Sequence, residues 1–392
     1  MKNTISEQTK KFIRDNFENE PYQLLLNKVH IPDIDIAFAV NEIQCRKKLS
    51  HKMSDWADNY DLIMPQPKNI EQSSGFLAAK YKSNLFKYEK SLDLTAGFGV
   101  DSYFISSNSK SHICVESDLS LLNILVHNFE ALSVQNTQFI NIFAEDFLTS
   151  NILKFDYVYI DPDRRDKAGE RKFSINEWQP DILKIFPELK GITKFLHIKL
   201  SPMMDLTAVM KLFPELSKIY VISVNNECKE LLIEFDFTAL NLSKQIVAVE
   251  LSDSPFEHIF NFNDKIDIKT EYPKKYIYDS HPAILKSGFS DFYAGKFGLS
   301  KIGVNTHIYT SNDLIEGYAG KVYQIIGLTK PDRKEIMKFL PDMKAIVIRK
   351  NFPLKVAEIR KKYGITEGEE YTIFAVKLSD NKNKFLVSKR IN

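Results

Sequence analysis

The chain has 392 residues, enough for several domains, and its 44% hydrophobic and 27% charged residues are typical of a globular protein. No run approaches the about 18 apolar residues of a membrane-spanning helix, and the polar N-terminus is unlike a secretory signal, so we expect a cytoplasmic protein with no membrane partner. Three scattered cysteines offer neither a disulfide framework nor a Cys-x-x-Cys metal pair, which predicts a reducing compartment and no metal site.

The net charge of +2 is distributed unevenly along the chain. Residues 319–392 contain 17 lysines and arginines against 8 acidic residues, a net charge of +9, which leaves −7 for the rest. A basic end on an acidic body indicates a polyanionic partner such as nucleic acid. Lysines on an ordinary solvated helical face would give the same count.

The predicted elements divide the chain into four segments. Residues 1–84 repeat apolar residues at three- and four-residue spacing, which predicts a helical N-terminal domain. Residues 85–255 alternate short apolar strands with helices, which predicts an α/β domain with a mostly parallel sheet covered on both faces. Residues 256–318 contain a strand, a turn and a short helix in "YIYDSHPAILKSG", and residues 319–392 form a compact basic α/β unit.

The strands of the 85–255 domain are predicted from short apolar runs. One run between them, "ECKELLIEF", is interpreted as a helix. The predicted strands lie in "KSLDLTAG", "HICVES", "QFINIFAED", "FDYVYIDPD", "KFLHIKLSP", "SKIYVISV" and "KQIVAVELS". In parallel sheets of this kind, ligands bind at the carboxyl ends of the strands.

The stretch "LDLTAGFGVDS" predicts a turn between the first strand and a helix. Gly97 and Gly99 allow positive φ and close approach of a ligand to the backbone, and the amides of the helix start face what lies above the turn. The third glycine of the dinucleotide fingerprint is missing. A nucleotide-dependent dehydrogenase is therefore a poor interpretation.

Two acids follow at the ends of the next strands. Glu116 is placed to accept hydrogen bonds from a ribose diol, and Asp146 is placed at the end of the third strand to accept from an adenine amine. Each acid alone fits a helix cap or a loop equally well. A turn, a ribose acid and an adenine acid in this order favour an adenosine ligand without phosphates.

In these motifs, the sequence resembles the class I S-adenosylmethionine-dependent methyltransferases. "DLTAGFG", "VESD", "AEDF" and "DPDRR" are similar to four motifs of that family in the family's order, over about residues 70–250. The resemblance implies a Rossmann-like sheet, S-adenosyl-L-methionine as cofactor, Glu116 on its ribose and Asp146 on its adenine. It places Asp93, Thr95, Gly97 and Gly99 round the methionine part of the cofactor. Ala96 in the same loop is a further predicted cofactor-binding residue. Gln72 and Ser73 in "IEQSSGF" lie where related enzymes close a segment over the cofactor.

The whole chain also resembles a bacterial group of methyltransferases with a helical N-terminus, a small ferredoxin-like insert and a C-terminal THUMP-like domain. "DLTAGFGVDS", "DPDRR", "SHPAILKSG" and "RKNFPL" are the stretches that carry this resemblance. THUMP domains bind RNA in other enzymes, so the resemblance implies an RNA substrate. The corresponding segments are 256–318 for the ferredoxin-like part and 319–392 for the THUMP-like part.

The stretch "DPDRR" at the end of the fourth strand is the predicted catalytic site. It comprises Asp161, Pro162, Asp163, Arg164 and Arg165. Methyltransferases that act on base amines usually have a proline and an aromatic residue at the third and fourth positions, where this chain has Asp163 and Arg164. Asp161 is expected to orient or deprotonate the acceptor, so that geometry supplies much of the rate.

Several roles are open for the residues that differ from that motif. Arg164 could stack on a base, Phe173 or Trp178 could supply the missing ring, or the two arginines could bind a phosphate. A salt bridge of Asp163 with one of them, without substrate contact, is the plain alternative. Lys199 in the neighbouring "HIKLSPMMD" could reach the same cleft, although a Ser-Pro after a strand is usually just a turn.

The basic C-terminal module offers a set of predicted RNA-binding residues: Arg349, Lys350, Arg360, Lys361 and Lys362. Contacts of such residues with phosphates would orient RNA without reading its sequence. Their placement near a helix C-terminus is also favourable without any ligand.

These observations together predict a methyltransferase that modifies a nucleotide in RNA, tRNA or rRNA. The alternatives are an RNA-binding protein with a non-catalytic methyltransferase fold and a small-molecule methyltransferase. The departure at Asp163 and Arg164 is the main support for a non-catalytic protein.

Overall fold

The computed structural model describes residues 5–26, 31–150, 153–163, 178–239, 243–252 and 254–391. Its chain divides into two compact units. The first comprises Met1–Ile219 with Glu230–Leu242, and the second comprises Tyr220–Lys229 with Ser243–Asn392. No helix in the described part of the chain is long and apolar enough to cross a membrane.

The helices of the first unit surround its sheet or precede it in the chain. Several begin at an acidic N-cap; the Asp35 carboxylate, for example, accepts a hydrogen bond from the amide of Phe38 at 3.0 Å. The helices are α1 (Glu7–Asp15), α2 (Pro21–Leu26), α3 (Ile36–Ser50), α4 (Ser54–Ala57), α5 (Pro67–Gln72), α6 (Phe76–Asn84), α7 (Val100–Ser107), α8 (Leu119–Ala131), α9 (Ala144–Ser150), α10 (Ile182–Ile192) and α11 (Leu206–Leu212).

The predicted parallel sheet is present in the first unit. Its strands are β1 (Tyr88–Asp93), β2 (Ser109–Val115), β3 (Thr137–Ile140), β4 (Phe155–Ile160) and β5 (Thr193–Leu200), and the division between the units falls within the next two, β6 (Lys218–Val224) and β7 (Glu227–Asp236). In this unit the order is β3-β2-β1-β4-β5-β7, with β7 antiparallel to β5 and the other pairs parallel. The parallel strands are largely buried, because helices cover them.

The prediction of a helix over "ECKELLIEF" was wrong, because these residues form β7. Every residue from Glu230 to Phe235 is buried, whereas a surface helix would expose one side. Ile233 pairs with Ile198 of β5 in a continuous ladder. Asn225 and Asn226 both have positive φ and turn the chain between β6 and β7, which is the backbone that a two-residue hairpin turn requires.

One core joins α3 to the loop that follows β1. Trp56, at the centre of this core, meets the rings of Phe98 and Tyr103 edge-on, with centroids 5.3 and 5.5 Å apart. On the other side of the loop, Leu125 and Phe129 of α8 pack against Ala96. The N-terminal helices therefore pack against this loop.

The second unit contains the remaining strands and helices. In it β6 lies beside β8, which pairs antiparallel with β9, and the other strands form a sheet of order β11-β12-β10-β13-β16-β15-β14. The elements are β8 (Gln245–Glu250), β9 (Phe256–Asn261), β10 (Tyr276–Ser280), α12 (Pro282–Ser287), α13 (Ser290–Lys296), β11 (Ser300–Gly303), β12 (Thr306–Ser311), β13 (Gly320–Thr329), α14 (Arg333–Met337), β14 (Ile346–Lys350), α15 (Val356–Tyr363), β15 (Tyr371–Lys377) and β16 (Asn383–Arg390).

The two halves of this sheet share a hydrophobic core. Ile277, Ile302 and Ile308 come from residues 276–318, and they pack in one cluster with Phe374 and Leu386. Strand β10 pairs directly with β13. Residues after 319 therefore contribute to the packing of those before it.

Candidate cofactor and acceptor site

The carboxyl ends of β1, β2, β4 and β5 lie at one edge of the sheet because these neighbouring strands are parallel. The loop after β1 is held by its own backbone. The Thr95 amide donates to the Asp93 carboxylate at 2.9 Å, and the Ala96 amide donates to the carbonyl of Val115 at 3.0 Å. The predicted cofactor loop is thus a fixed turn between β1 and α7.

Two glycines shape that turn. Gly97 has φ of 56°, and among the described residues a Cβ on it would meet only the Thr95 carbonyl oxygen, at 3.8 Å. Gly99 has φ of 87° and is the N-cap of α7, where a Cβ would lie 2.1 Å from Leu125 Cδ1. Gly97 therefore leaves the turn accessible from above, and Gly99 allows α7 and α8 to approach each other.

Asp93 is buried beneath the loop. Its carboxylate accepts hydrogen bonds from the Ser102 hydroxyl at 2.5 Å and from the Thr95 amide. Burial raises the pKa of Asp93 to about 7, although both of these hydrogen bonds favour the charged form. Asp93 consequently supports the loop from inside the fold.

Glu116 lies at the end of β2, where its carboxylate faces the loop. One carboxylate oxygen accepts from the Gly97 amide and the other from the Asp118 amide, each at 2.9 Å. The side-chain amide of Asn141 donates to the Glu116 carbonyl at 2.8 Å. Each carboxylate oxygen keeps acceptor capacity for a further donor.

The placement of Asp146 at the end of the third strand was wrong. Strand β3 ends at Ile140, and Asp146 is an exposed residue in the first turn of α9. The apolar run "QFINIFAED" hides this boundary because it contains both the strand end and the first helical residues, so its hydrophobicity alone does not separate them.

Gln72 and Ser73, the candidates in the segment before β1, have different surroundings. The Gln72 side-chain amide donates to the Asp163 carboxylate at 3.2 Å, so Gln72 reaches the "DPDRR" stretch, named the acceptor motif for its predicted role. Ser73 is the C-cap of α5, and its hydroxyl donates to the carbonyl of Ile70 at 2.9 Å.

The acceptor motif begins directly beside the predicted cofactor loop. The Asp161 amide donates to the Thr95 hydroxyl at 2.7 Å, and the Asp161 carboxylate forms an ion pair with Lys199 at the end of β5. Pro162 is buried, and Asp163 is exposed. Asp163 exchanges backbone hydrogen bonds with Gln179, each of 2.9 Å.

Three of the residues weighed for this motif, Arg164, Arg165 and Phe173, lie outside the described residues. Trp178 is described and is 3% exposed. A ring that is buried to this extent does not offer a free face to a base, so the structure does not favour Trp178 as the missing aromatic residue.

Behind Asp161 lies a group of buried charges that sequence reasoning largely missed. Lys82 of α6 forms ion pairs with Asp101 of α7 at 2.9 Å and with Glu230 of β7 at 2.7 Å. Lys199 is 3.8 Å from Asp101 and contacts Asp161. One signal was available: Lys82 follows the buried Ala78 and Ala79 at helical spacing, which places it on the buried face.

The predicted RNA-binding residues belong to the second unit and fall into two groups. Arg349 on the edge strand β14 and Lys361 and Lys362 in the last turn of α15 are exposed. Lys350 forms an ion pair of 2.7 Å with Asp279, and Arg360 donates to a backbone carbonyl at 3.2 Å. Both of the latter residues have structural partners inside their own unit.

Among the described residues, no group of three or more His, Cys, Asp or Glu side chains is arranged to hold a metal ion. His281 in "SHPAIL" has a structural role, because it caps a helix. His281 accepts from the Ala283 amide at 3.1 Å as the N-cap of α12, and it lies 2.9 Å from Glu250.

In comparison with known proteins, two family models match regions of the sequence, and a solved structure matches along nearly the whole chain. A family model for a ferredoxin-like domain matches residues 276–318, and a model described as THUMP domain-like matches residues 320–390. A crystal structure of a candidate methyltransferase from Porphyromonas gingivalis W83 has a TM-score of 0.86 and 26% identity. It covers 99% of this chain and 100% of that one. No curated protein matches the chain.

Smaller structures align with a part of the chain. A candidate methyltransferase from Streptococcus mutans in complex with SAH has a TM-score of 0.32 and 16% identity, covering 41% of this chain and 95% of that one. TrmK from M. capricolum, in complex with S-adenosylhomocysteine, has a TM-score of 0.32 and 15% identity, covering 45% and 70%. Alignments at this level carry no argument about function.

The parallel sheet, its loop and the matched C-terminal domains together confirm the architecture that the motifs predict. The chain has a Rossmann-like class I methyltransferase fold with ferredoxin-like and THUMP-like domains in its C-terminal region, and it resembles the Porphyromonas gingivalis protein along its whole length.

Proposed function

We propose that this protein is an S-adenosylmethionine-dependent methyltransferase that modifies a nucleotide in RNA. The observation that carries the proposal is the direct linkage of the two motifs. Asp161 of the acceptor motif donates its amide to Thr95 of the cofactor loop, and Gly97 of the same loop donates to Glu116. A cofactor on the loop and an acceptor at Asp161 would therefore lie side by side.

The residues present fit the cofactor. The turn at Gly97 has room above its backbone, and the Glu116 carboxylate has acceptor capacity for a ribose diol. Asp93, Thr95, Ala96 and Gly99 would hold the loop, and Gln72, Ser73 and Asp146 are the more distant candidates. When bound, S-adenosylmethionine supplies an electrophilic methyl group.

Asp161 would orient the acceptor and take its proton. Burial raises the pKa of the Asp161 carboxyl above its ordinary value, while the neighbouring Lys199 ammonium opposes this shift. A carboxylate with a raised pKa is a better proton acceptor at neutral pH. Its side chain is still 32% exposed, so a substrate can reach it.

An RNA substrate is supported by the C-terminal domain. The matched domain is described as THUMP domain-like, a type that binds RNA in other enzymes, and residues 319–392 carry a net charge of +9. Arg349, Lys361 and Lys362 are exposed and would contact phosphates. Lys350 and Arg360 would instead hold the shape of this surface.

The test is transfer of a labelled methyl group from S-adenosylmethionine to a pool of unmodified tRNA and rRNA transcripts. We expect label in RNA with the wild type. The triple variant Arg349→Glu, Lys361→Glu, Lys362→Glu should raise the half-saturating RNA concentration about tenfold or more and flatten its salt dependence, because three phosphate contacts are lost.

The matched control makes the same change of charge at exposed lysines of the first unit, with Lys11→Glu, Lys87→Glu and Lys90→Glu. This control should leave the half-saturating concentration within about twofold of wild type if the C-terminal surface provides the contacts. RNA binding without transfer would favour the non-catalytic alternative. Transfer to small molecules alone would favour a small-molecule methyltransferase.

A further inference from the structure

The charged group behind the acceptor motif contains four residues besides Asp161 that the proposed function does not use. It joins five elements of the first unit, because Lys82 lies on α6, Asp101 on α7, Asp161 after β4, Lys199 on β5 and Glu230 on β7. Lys82 bridges Asp101 and Glu230, and Lys199 bridges Asp101 and Asp161. The chain of ion pairs therefore ends at Asp161, beside the cofactor loop.

Neutral groups complete the connections within this cluster. The Ser74 hydroxyl lies 2.8 Å from Asp101, 3.1 Å from Glu230 and 2.9 Å from the Lys82 ammonium. The Tyr159 hydroxyl donates to Asp101 at 2.8 Å. The cluster is thus hydrogen-bonded from several directions, which holds its charges in one arrangement.

Stability does not explain this cluster. The side chains of Lys82, Glu230 and Lys199 are only 1%, 6% and 10% exposed, and apolar residues of similar size often pack in such places at no loss of stability. Asp161 is the most exposed of the five, at 32%. Buried charges that converge on one accessible carboxylate point to chemistry at that carboxylate.

Lys199 meets Asp161 as a cation. Burial alone would lower the pKa of Lys199, but the three neighbouring carboxylates raise it above its ordinary value. Lys199 therefore stays protonated at neutral pH and does not serve as a base. It can donate hydrogen bonds to an oxygen that lies against Asp161.

A fixed ammonium group distinguishes between two kinds of acceptor. The nitrogen of a neutral base amine gains positive charge as it bonds to a methyl group, and a nearby ammonium ion opposes that charge. A hydroxyl that gives up its proton carries negative charge on oxygen, and the same ammonium ion stabilises it. Asp163 also stands where base-amine methyltransferases have a proline.

On the basis of the proposed function, we infer that the methyl acceptor is the ribose 2′-hydroxyl of a nucleotide in RNA, and that Asp161 and Lys199 are its catalytic residues. The hydroxyl proton passes to the Asp161 carboxylate, and Lys199 holds the oxygen. The new bond joins this oxygen to the methyl carbon, the carbon–sulfur bond breaks with its electron pair on sulfur, and S-adenosylhomocysteine leaves. Lys82 and Glu230 act as positioning residues.

The test uses the labelled RNA of the transfer assay and a chemical readout. Alkali cleaves RNA through the 2′-hydroxyl, so a 2′-O-methyl group leaves the label in an alkali-resistant dinucleotide, whereas a methylated base appears in a mononucleotide. We expect the label in dinucleotides. Lys199→Met should slow transfer about 100-fold or more, and Lys199→Arg, which keeps the cation, should retain part of the rate.

A binding readout separates catalysis from folding. Isothermal titration with S-adenosylhomocysteine should give Lys199→Met an affinity within about twofold of wild type, because Lys199 lies outside the cofactor loop. Label in mononucleotides would overturn this inference and leave the proposed function standing. A Lys199→Met variant that transfers methyl groups at the wild-type rate would overturn the role of Lys199. No label in any RNA would refute the proposed function and this inference with it.

Discussion

At the scale of single residues, burial without a charged partner keeps a side chain neutral, as His112 on β2 shows. The ring is 1% exposed, and its Nδ1 lies 2.7 Å from the Ser91 hydroxyl. Burial lowers the pKa of His112 to about 3 from its ordinary 6.5. The folded chain therefore keeps this ring neutral at pH values where the unfolded chain protonates it.

This shift predicts acid sensitivity. Between pH 6.5 and 3 the unfolded state binds one proton more at His112, so stability should fall with falling pH by up to about 1.4 kcal/mol per unit. His112→Asn removes this contribution and should give a shallower acid slope in urea unfolding at pH 7, 6 and 5. His51→Asn, at an exposed histidine, should keep the wild-type slope. Equal slopes for wild type and His112→Asn would contradict the argument.

The turn after β1 was predictable because its residues follow one another in the chain. Gly97 and Gly99 were found from a local pattern, and Glu116 from its place after the next strand. Lys82 and Glu230 join the ion pairs behind Asp161 from distant elements, so no local spacing in the sequence predicts them. Lys199 was considered for the cleft, but its ion pair with Asp161 is visible only in the fold.

At the scale of elements, the close approach of α7 and α8 depends on Gly99. A Cβ at this position would lie 2.1 Å from Leu125 Cδ1 and 3.0 Å from Phe129 Cε2. The positive φ adds a backbone cost of about 1–2 kcal/mol for any other residue. The same φ penalty applies at Gly97, where the space is open.

The two glycines therefore provide a matched pair of variants. Gly97→Ala should lower the free energy of unfolding by about 1–2 kcal/mol through the backbone alone. Gly99→Ala should cost about 1–3 kcal/mol more, because Leu125 must also move. Urea unfolding of both variants measures the difference. Equal costs would show that packing between α7 and α8 does not constrain this position.

The errors in predicting elements have one physical origin. Strands β1, β2, β4 and β5 were found because short apolar runs end in turns. Strand β7 was missed because a fully buried strand loses the period-two pattern and its leucines also suit a helix. The end of β3 was misplaced because apolar residues continue into α9, which shifted Asp146 onto the wrong element.

At the scale of the whole molecule, the candidate site and the basic segment lie in different units. The carboxyl ends of the parallel strands belong to the first unit, and the basic segment 319–392 belongs to the second. Charge composition predicted a polyanion-binding segment, but it could not separate the exposed Arg349, Lys361 and Lys362 from Lys350, whose partner is Asp279. That distinction depends on the folded sheet.

Binding of S-adenosylhomocysteine to the loop after β1 can be measured directly by isothermal titration of the full chain, for wild type and Glu116→Ala. We predict micromolar binding by the wild type and a loss of about tenfold or more in Glu116→Ala, since the ribose diol would lose its acceptor. Glu130→Ala, at an exposed glutamate of α8, should bind like wild type. A wild type that binds no S-adenosylhomocysteine, or a Glu116→Ala variant that binds it unchanged, would contradict the account.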